Sequence, residues 1–212
     1  MKLFRMSKRQ LKLLFWFIIK NVSFTRCFYE TKYTQTPITF KYWFIQKVLG
    51  FNRNAYWPIH FTSIVVGPKN IYAGIDTAPG YSGNCYIQGG GKVYIGDYTQ
   101  IGPGVGIISA NHKTTDSREH IRNTVRIGKY CWLGMNSIVL PGVILGDFTI
   151  IAAGTVVTKS FENGYCIIAG NPAKEIKKIP KEECILFENK YKYNGYIKFD
   201  RFEMYRKTKL NV

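Results

Sequence analysis

The chain has 212 residues, 46% of them apolar, enough for one decorated domain with a real core. Thirty Lys and Arg against thirteen Asp and Glu leave a net charge of +17, which implies an acidic partner or surface. No zinc-finger, RRM or helix-turn-helix pattern accompanies that charge, so it does not make a nucleic-acid reader. The five cysteines, at 27, 85, 131, 166 and 184, form no CxxC pair or Cys/His cluster. Neither a disulfide framework nor a structural metal is indicated, and a reducing cytoplasm suits them.

Residues 1–55 read as a basic and aromatic N-terminal extension. Residues 1–53 hold eleven Lys and Arg against the single acid Glu30. Within it "LKLLFWFIIK", residues 11–20, is membrane-like but about half the ~20 residues of a spanning helix, and Lys12 interrupts it. No small-x-small cleavage site follows, as a signal peptide requires. Two readings stand: a helix lying on an anionic bilayer face, or one packed against its own domain.

Residues 56–178 form the next unit and carry a six-residue beat. It is clearest from residue 93, where Ile95-Gly96 and Ile101-Gly102 open successive hexads. From Ile127 the first position is Ile127, Leu133, Val139, Leu145, Ile151 and Val157; the fifth is Cys131, Ser137, Val143, Thr149 and Thr155. Six is a multiple of two, so both ladders point to one side of an extended chain, one bulky and one mostly small. Such a repeat predicts an all-β solenoid whose coils bury their apolar side only against each other. Glycines at the second position suggest turns with backbone angles that a Cβ hinders.

Ile107 and Ile127 are 20 positions apart, which is no multiple of six. A polar excursion, residues 109–125, leaves the repeat there and carries His112, Asp116 and His120. The beat ends at "YCIIAGNPAKEIKKI", residues 165–179, where Asn171-Pro172 stops the strand geometry. Residues 179–212 read as a C-terminal helical tail.

These motifs strongly resemble the hexapeptide-repeat acyltransferases, in particular the galactoside and maltose acetyltransferase branch. The resemblance covers residues 62–178 or so. It implies a left-handed parallel β-helix, against the usual right-handed preference for crossovers, and association as a homotrimer with sites shared between neighbours. It also implies an acetyl-CoA-dependent O-acetyltransferase acting on a sugar hydroxyl. His112, 15 residues after Asp97, matches the general base at the loop tip; an imidazole can take the hydroxyl proton as the oxygen attacks a thioester. Asp116 is a candidate partner for that ring or for substrate, with a backbone carbonyl serving equally well for the ring. Asn84 and Asp76 are candidates for the sugar, and turn formation explains both as readily. His60 reads as structural, and His120 as structural or substrate-facing.

On the donor side Trp132 in "CWLG" matches a wall of the cofactor channel, and Met135 a backbone N–H for the thioester carbonyl. Ala153, Thr158 and Lys159 match positions along the pantetheine and adenine end. Lys174 and Lys177, in a closing motif that leads into a short helix, match basic residues that meet the phosphates of coenzyme A. A solvated basic helix face explains these two lysines as well. The basic, aromatic N-terminal extension points to an acceptor in capsular or other surface polysaccharide synthesis, handled at the inner face of the cytoplasmic membrane. The competing readings are a non-catalytic trimeric scaffold or a carbohydrate-binding module. A zinc-dependent β-helical carbonic anhydrase is disfavoured, because His60, His112 and His120 lack the ligand spacing.

Overall fold

The computed structural model describes residues 7–10, 12–13 and 25–212. The apolar run 11–20 therefore lies, apart from Lys12 and Leu13, outside the described residues. Among the described residues no helix is long and apolar enough to cross a membrane.

Residues from 64 onward wind into a prism with three faces of stacked short parallel strands. The first face stacks Ile64–Val66, Tyr86–Gln88, Gly106–Ile108, Ile138–Val139 and Val156–Val157. The second stacks Gln100–Ile101, Trp132–Leu133, Thr149–Ile151 and Cys166–Ala169. The third stacks Ile71–Ala73, Val93–Ile95, Val125–Ile127 and Ile144–Leu145. Register follows the hexad. Leu133 pairs with Ile101 and Ile151, Val139 with Ile107 and Val157, and Ile127 with Ile95 and Leu145. Both predicted ladders, Ile127 to Val157 and Cys131 to Thr155, are buried along the prism axis.

The glycines do something other than expected. Gly74, Gly96, Gly128 and Gly146 do not adopt left-handed angles; a Cβ on Gly96 would stand 2.6 Å from the Gly128 carbonyl carbon, and one on Gly128 2.6 Å from that of Gly146. Their role is close approach of one coil to the next. The left-handed corner positions are filled instead by Tyr98, Tyr130, Phe148 and Tyr165 at one edge, and by Asn84, Gly104, Asn136 and Gly154 at another.

The ends are sealed by what surrounds the solenoid. Trp57 is fully buried and donates its indole N–H to the Pro79 carbonyl at 2.8 Å. Gln46, also fully buried, donates to the Asn52 and Trp57 carbonyls and accepts from the Ile59 N–H and the Tyr196 hydroxyl. The later part of the N-terminal extension, from Gln35 to Gln46, thus packs on the first coils. The tail helix Phe199–Lys209 lays Phe202 against Tyr56 and Tyr72 and so covers the start of the third face. At the other end the expected short helix does not form. Lys174–Lys178 returns as an antiparallel strand along Cys166–Ala169, because the last coil leaves a row of backbone N–H and C=O groups that a helix could not pair.

Candidate active site

The excursion is a β-hairpin, Ala110–Lys113 against Asp116–Arg122, rooted at the edge between the first and third faces. Its root is stapled to the coil before it. Ser109 Oγ donates to the Gln88 carbonyl at 2.5 Å, and the Ala110 N–H to Gln88 Oε1 at 2.9 Å. Polar residues run along both strands, broken only by Ile121, and leave it exposed beyond that root.

His112 and His120 face each other across the hairpin, with ring centroids 4.4 Å apart. Nδ1 of His112 is hydrogen-bonded to the Ser117 carbonyl. A carbonyl can only accept, so the neutral ring carries its proton on Nδ1 and keeps the lone pair of Nε2 for chemistry. Asp116 is not that partner: both its oxygens are taken by Arg118, at 2.9 Å and 2.8 Å, which also holds the carboxyl below its usual range. A backbone carbonyl thus holds this ring in the way that a carboxylate holds the imidazole of a histidine base.

The structure separates the remaining candidates by edge. Asn84, Met135 and Ala153 all lie at the edge between the second and first faces, one coil above another; the Gly154 N–H bonds the Met135 carbonyl at 2.9 Å. Met135 is 52% exposed there, and Trp132, on the adjoining second face, 53%. Asn84 has φ 62° and its N–H bonds Thr62 Oγ1 at 3.0 Å, so turn geometry accounts for its backbone while its side chain stays exposed. Thr158 and Lys159 stand on the edge that carries the hairpin instead. Lys174 and Lys177 are exposed on the returning strand, close under the second face.

Asp76, expected as a sugar ligand, is turned inward instead. Its carboxylate is buried and accepts from the Gln35 and Thr36 backbone N–H groups, the Thr36 hydroxyl and Asn189 Nδ2. No lone pair is left in the open for a sugar hydroxyl. His60 caps a turn through Thr62 Oγ1 at 2.8 Å. Among the described residues no group of three or more His, Cys, Asp or Glu could hold a metal ion.

One feature went unread in the sequence. Tyr98, Tyr130, Phe148 and Tyr165 stack into a continuous column with centroids 5.0–5.2 Å apart, and Phe187 of the tail packs on its upper half. The signal was available: an aromatic falls three residues after Ile95, Ile127 and Leu145 in turn.

The hexapeptide pattern of the bacterial transferase hexapeptide (six repeats) family matches residues 124–159. A relative from Lysinibacillus sphaericus, named a probable macrolide acetyltransferase, is 36% identical over 140 residues, covering 54% of this chain and 77% of the relative. The chain belongs to the hexapeptide-repeat transferase family. A second relative is matched over less of its length: the matched stretch is 49% of a Schizosaccharomyces pombe protein named as an acetyltransferase, with 36% identity and 47% of this chain covered. The chain thus spans about half the length of that curated relative. Among solved structures, a galactoside acetyltransferase in complex with coenzyme A is 27% identical with a TM-score of 0.54, covering 66% of this chain and 70% of its own. A maltose O-acetyltransferase from Clostridium difficile 630, 23% identical with a TM-score of 0.51, covers 76% of this chain and 91% of its own and shares the fold. The fold is the left-handed parallel β-helix of this family.

Proposed function

We propose that the protein is an O-acetyltransferase that moves an acetyl group from acetyl-CoA to a sugar hydroxyl, with His112 as general base. The observation that carries this reading is the contact of His112 Nδ1 with the Ser117 carbonyl, which leaves Nε2 open on an exposed hairpin. The hydroxyl oxygen attacks the thioester carbonyl as Nε2 takes its proton. The tetrahedral intermediate then expels the thiolate, which takes that proton back from the imidazolium. No covalent enzyme intermediate is needed. A coenzyme A complex in the galactoside acetyltransferase supports the donor.

The donor candidates Met135 and Ala153 share one edge with Asn84, whereas His112 stands on another, so a complete site needs the hairpin of a second copy. The outer side of the first face supports such a neighbour: Ile64 is 58% exposed, with Val66 and Tyr86 beside it. Closed association of three copies would give three identical sites. Trp132 would wall the donor, with Lys174 and Lys177 as point charges toward its phosphates, and Thr158 and Lys159 extending the donor surface from the hairpin edge.

For the acceptor we favour a surface glycan, from the basic aromatic extension, modified at the inner membrane face. The Lysinibacillus relative favours a second reading, a macrolide hydroxyl. The test is thiol release from acetyl-CoA across a panel of free sugars, glycan fragments and one macrolide, with His112→Ala alongside. The variant is expected to lose about 10²-fold or more in kcat with its fold and oligomeric state intact. Undiminished turnover would sink the mechanism; turnover on the macrolide alone would replace the acceptor.

A further inference from the structure

The helix Phe40–Trp43 runs on without a break into the wider π-helical turn Phe44–Val48. Its burial is the reverse of what a surface helix shows. Gln46 is fully buried, and its hydrogen bonds to Asn52, Trp57 and Ile59 fix which way the helix faces. Phe40, by contrast, is 61% exposed and Phe44 39%. Phe40, Phe44 and Val48 follow at steps of four, so they share one side, and that side is apolar. The rings of Phe40, Trp43 and Phe44 lie within 6 Å of one another in sequence order, at 5.8 and 5.9 Å from Phe40. Leu49 and Phe51 follow, both exposed, and Phe51 meets the exposed ring of Phe61 at 6.4 Å. Single exposed apolar residues are ordinary, but a contiguous run of rings marks a surface that something apolar covers.

The charges beside this ridge decide what covers it. A cavity of about 550 Å³ opens against the helix, lined by its Trp43 and Lys47, by Arg26, and by Lys198 and Arg201 of the tail. Asp200 is the one acid in that lining. Lys41, Lys198 and Arg201 are exposed and make no ion pair among the described residues. Rings next to unpaired cations suit a bilayer, where the rings enter the interface and Lys and Arg meet the lipid phosphates. A second copy of the chain suits the ridge less well. It carries the same charge of +17, and like charges brought together across an interface oppose association. We infer that the ridge Phe40, Phe44 and Val48, with Lys41, Lys198 and Arg201 beside it, docks on a bilayer that contains anionic lipid. The inference rests on the surface-glycan reading above and names the contact that brings the protein to the inner membrane face.

The full chain is floated at low salt with vesicles of phosphatidylcholine, and with vesicles of phosphatidylcholine and phosphatidylglycerol in equal parts. Binding to the mixed vesicles is expected to exceed that to phosphatidylcholine about tenfold or more. Phe40→Ser with Phe44→Ser should weaken it about tenfold or more, because two rings no longer enter the interface. Lys41→Glu with Arg201→Glu should abolish the preference for the anionic vesicles. All four side chains are exposed, so both pairs should keep the fold, as circular dichroism checks. No flotation with the mixed vesicles, equal flotation with both compositions, or unchanged flotation of the phenylalanine pair overturns this surface. Lipid-free light scattering is run alongside; particle mass that grows with concentration, and stops growing in the phenylalanine pair, gives the ridge to a second copy and also overturns it. Acetyl transfer by the unaltered protein is measured separately in solution. Transfer without flotation overturns the docking surface alone, and flotation without transfer to any acceptor overturns the reaction alone.

Discussion

Asn189 donates its Nδ2–H to Asp76 Oδ2 at 2.8 Å across 113 positions of sequence. The same carboxylate takes the backbone N–H groups of Gln35 and Thr36, at 3.0 Å and 2.9 Å. A single buried acid therefore ties the N-terminal extension and the C-terminal tail to the first coil.

Asp76→Asn tests that joint without disturbing the backbone, since Asn tolerates the φ of 50° found there. The new amide turns a donor toward donors and loses the charge. A loss of about 2 kcal/mol in urea unfolding is expected, with faster proteolysis near residue 189. Unchanged stability would mean that the two extensions are held by something else.

The neutral His112 ring should carry its proton on Nδ1. Nitrogen-15 NMR of labelled protein reads the tautomer of the neutral ring directly from the two ring shifts. An Nδ1–H signal is the expected outcome. The opposite tautomer would leave Nε2 protonated and remove the base from the proposed reaction.

Gly146→Ala and Gly154→Ala separate the two uses of glycine. A Cβ on Gly146 would lie 2.2 Å from the Glu162 carbonyl oxygen, so the coils must part; about 2–3 kcal/mol of destabilisation is expected. Gly154 has φ 68° but nothing within 4 Å of its missing Cβ, so only the left-handed penalty of about 1 kcal/mol applies. Equilibrium unfolding of both variants should rank them in that order, and the reverse ranking would refute close approach as the reason for the repeat's glycine.

Two groups of ionisations bend stability in opposite directions. Burial, with Arg53 nearby, lowers Lys47 to about 8. The unfolded lysine titrates near 10.4. The unfolded chain therefore binds more protons between those values, and this lysine makes stability rise with pH across that window. Tyr56, Tyr193 and Tyr196 are raised above 10 mainly by burial, so the native state holds protons that the unfolded phenols lose. Stability should therefore fall steeply above about pH 10. The thiols of Cys27 and Cys131 are also raised, mainly by burial, and pull stability down across part of the Lys47 window. The Lys47 rise is therefore read as the difference between the unaltered protein and Lys47→Met, each unfolded from neutral pH upward. A difference that stays flat between about pH 8 and 10 would refute the Lys47 part.

By itself the sequence determined the solenoid. A strict six-residue alternation of bulky and small positions leaves one way to bury both ladders, and Leu133, Val139 and their repeats are buried where the beat puts them. It also marked His112, because a polar excursion that breaks the beat must leave the stack. What it could not show were contacts made between distant segments. Asp76 and Asn84 read alike as turn residues, yet only folding brings Gln35, Thr36 and Asn189 around Asp76 and leaves Asn84 open. Nor could the spacing tell Ser117 from Asp116 as the partner of His112, since that depends on the hairpin register pairing His112 with His120. The closing strand was decided by the unpaired edge of the last coil, a property of the stacked coils and of no local motif. Local periodicity specifies which way a side chain points, while the identity of its partner is settled only when the coils and both extensions pack.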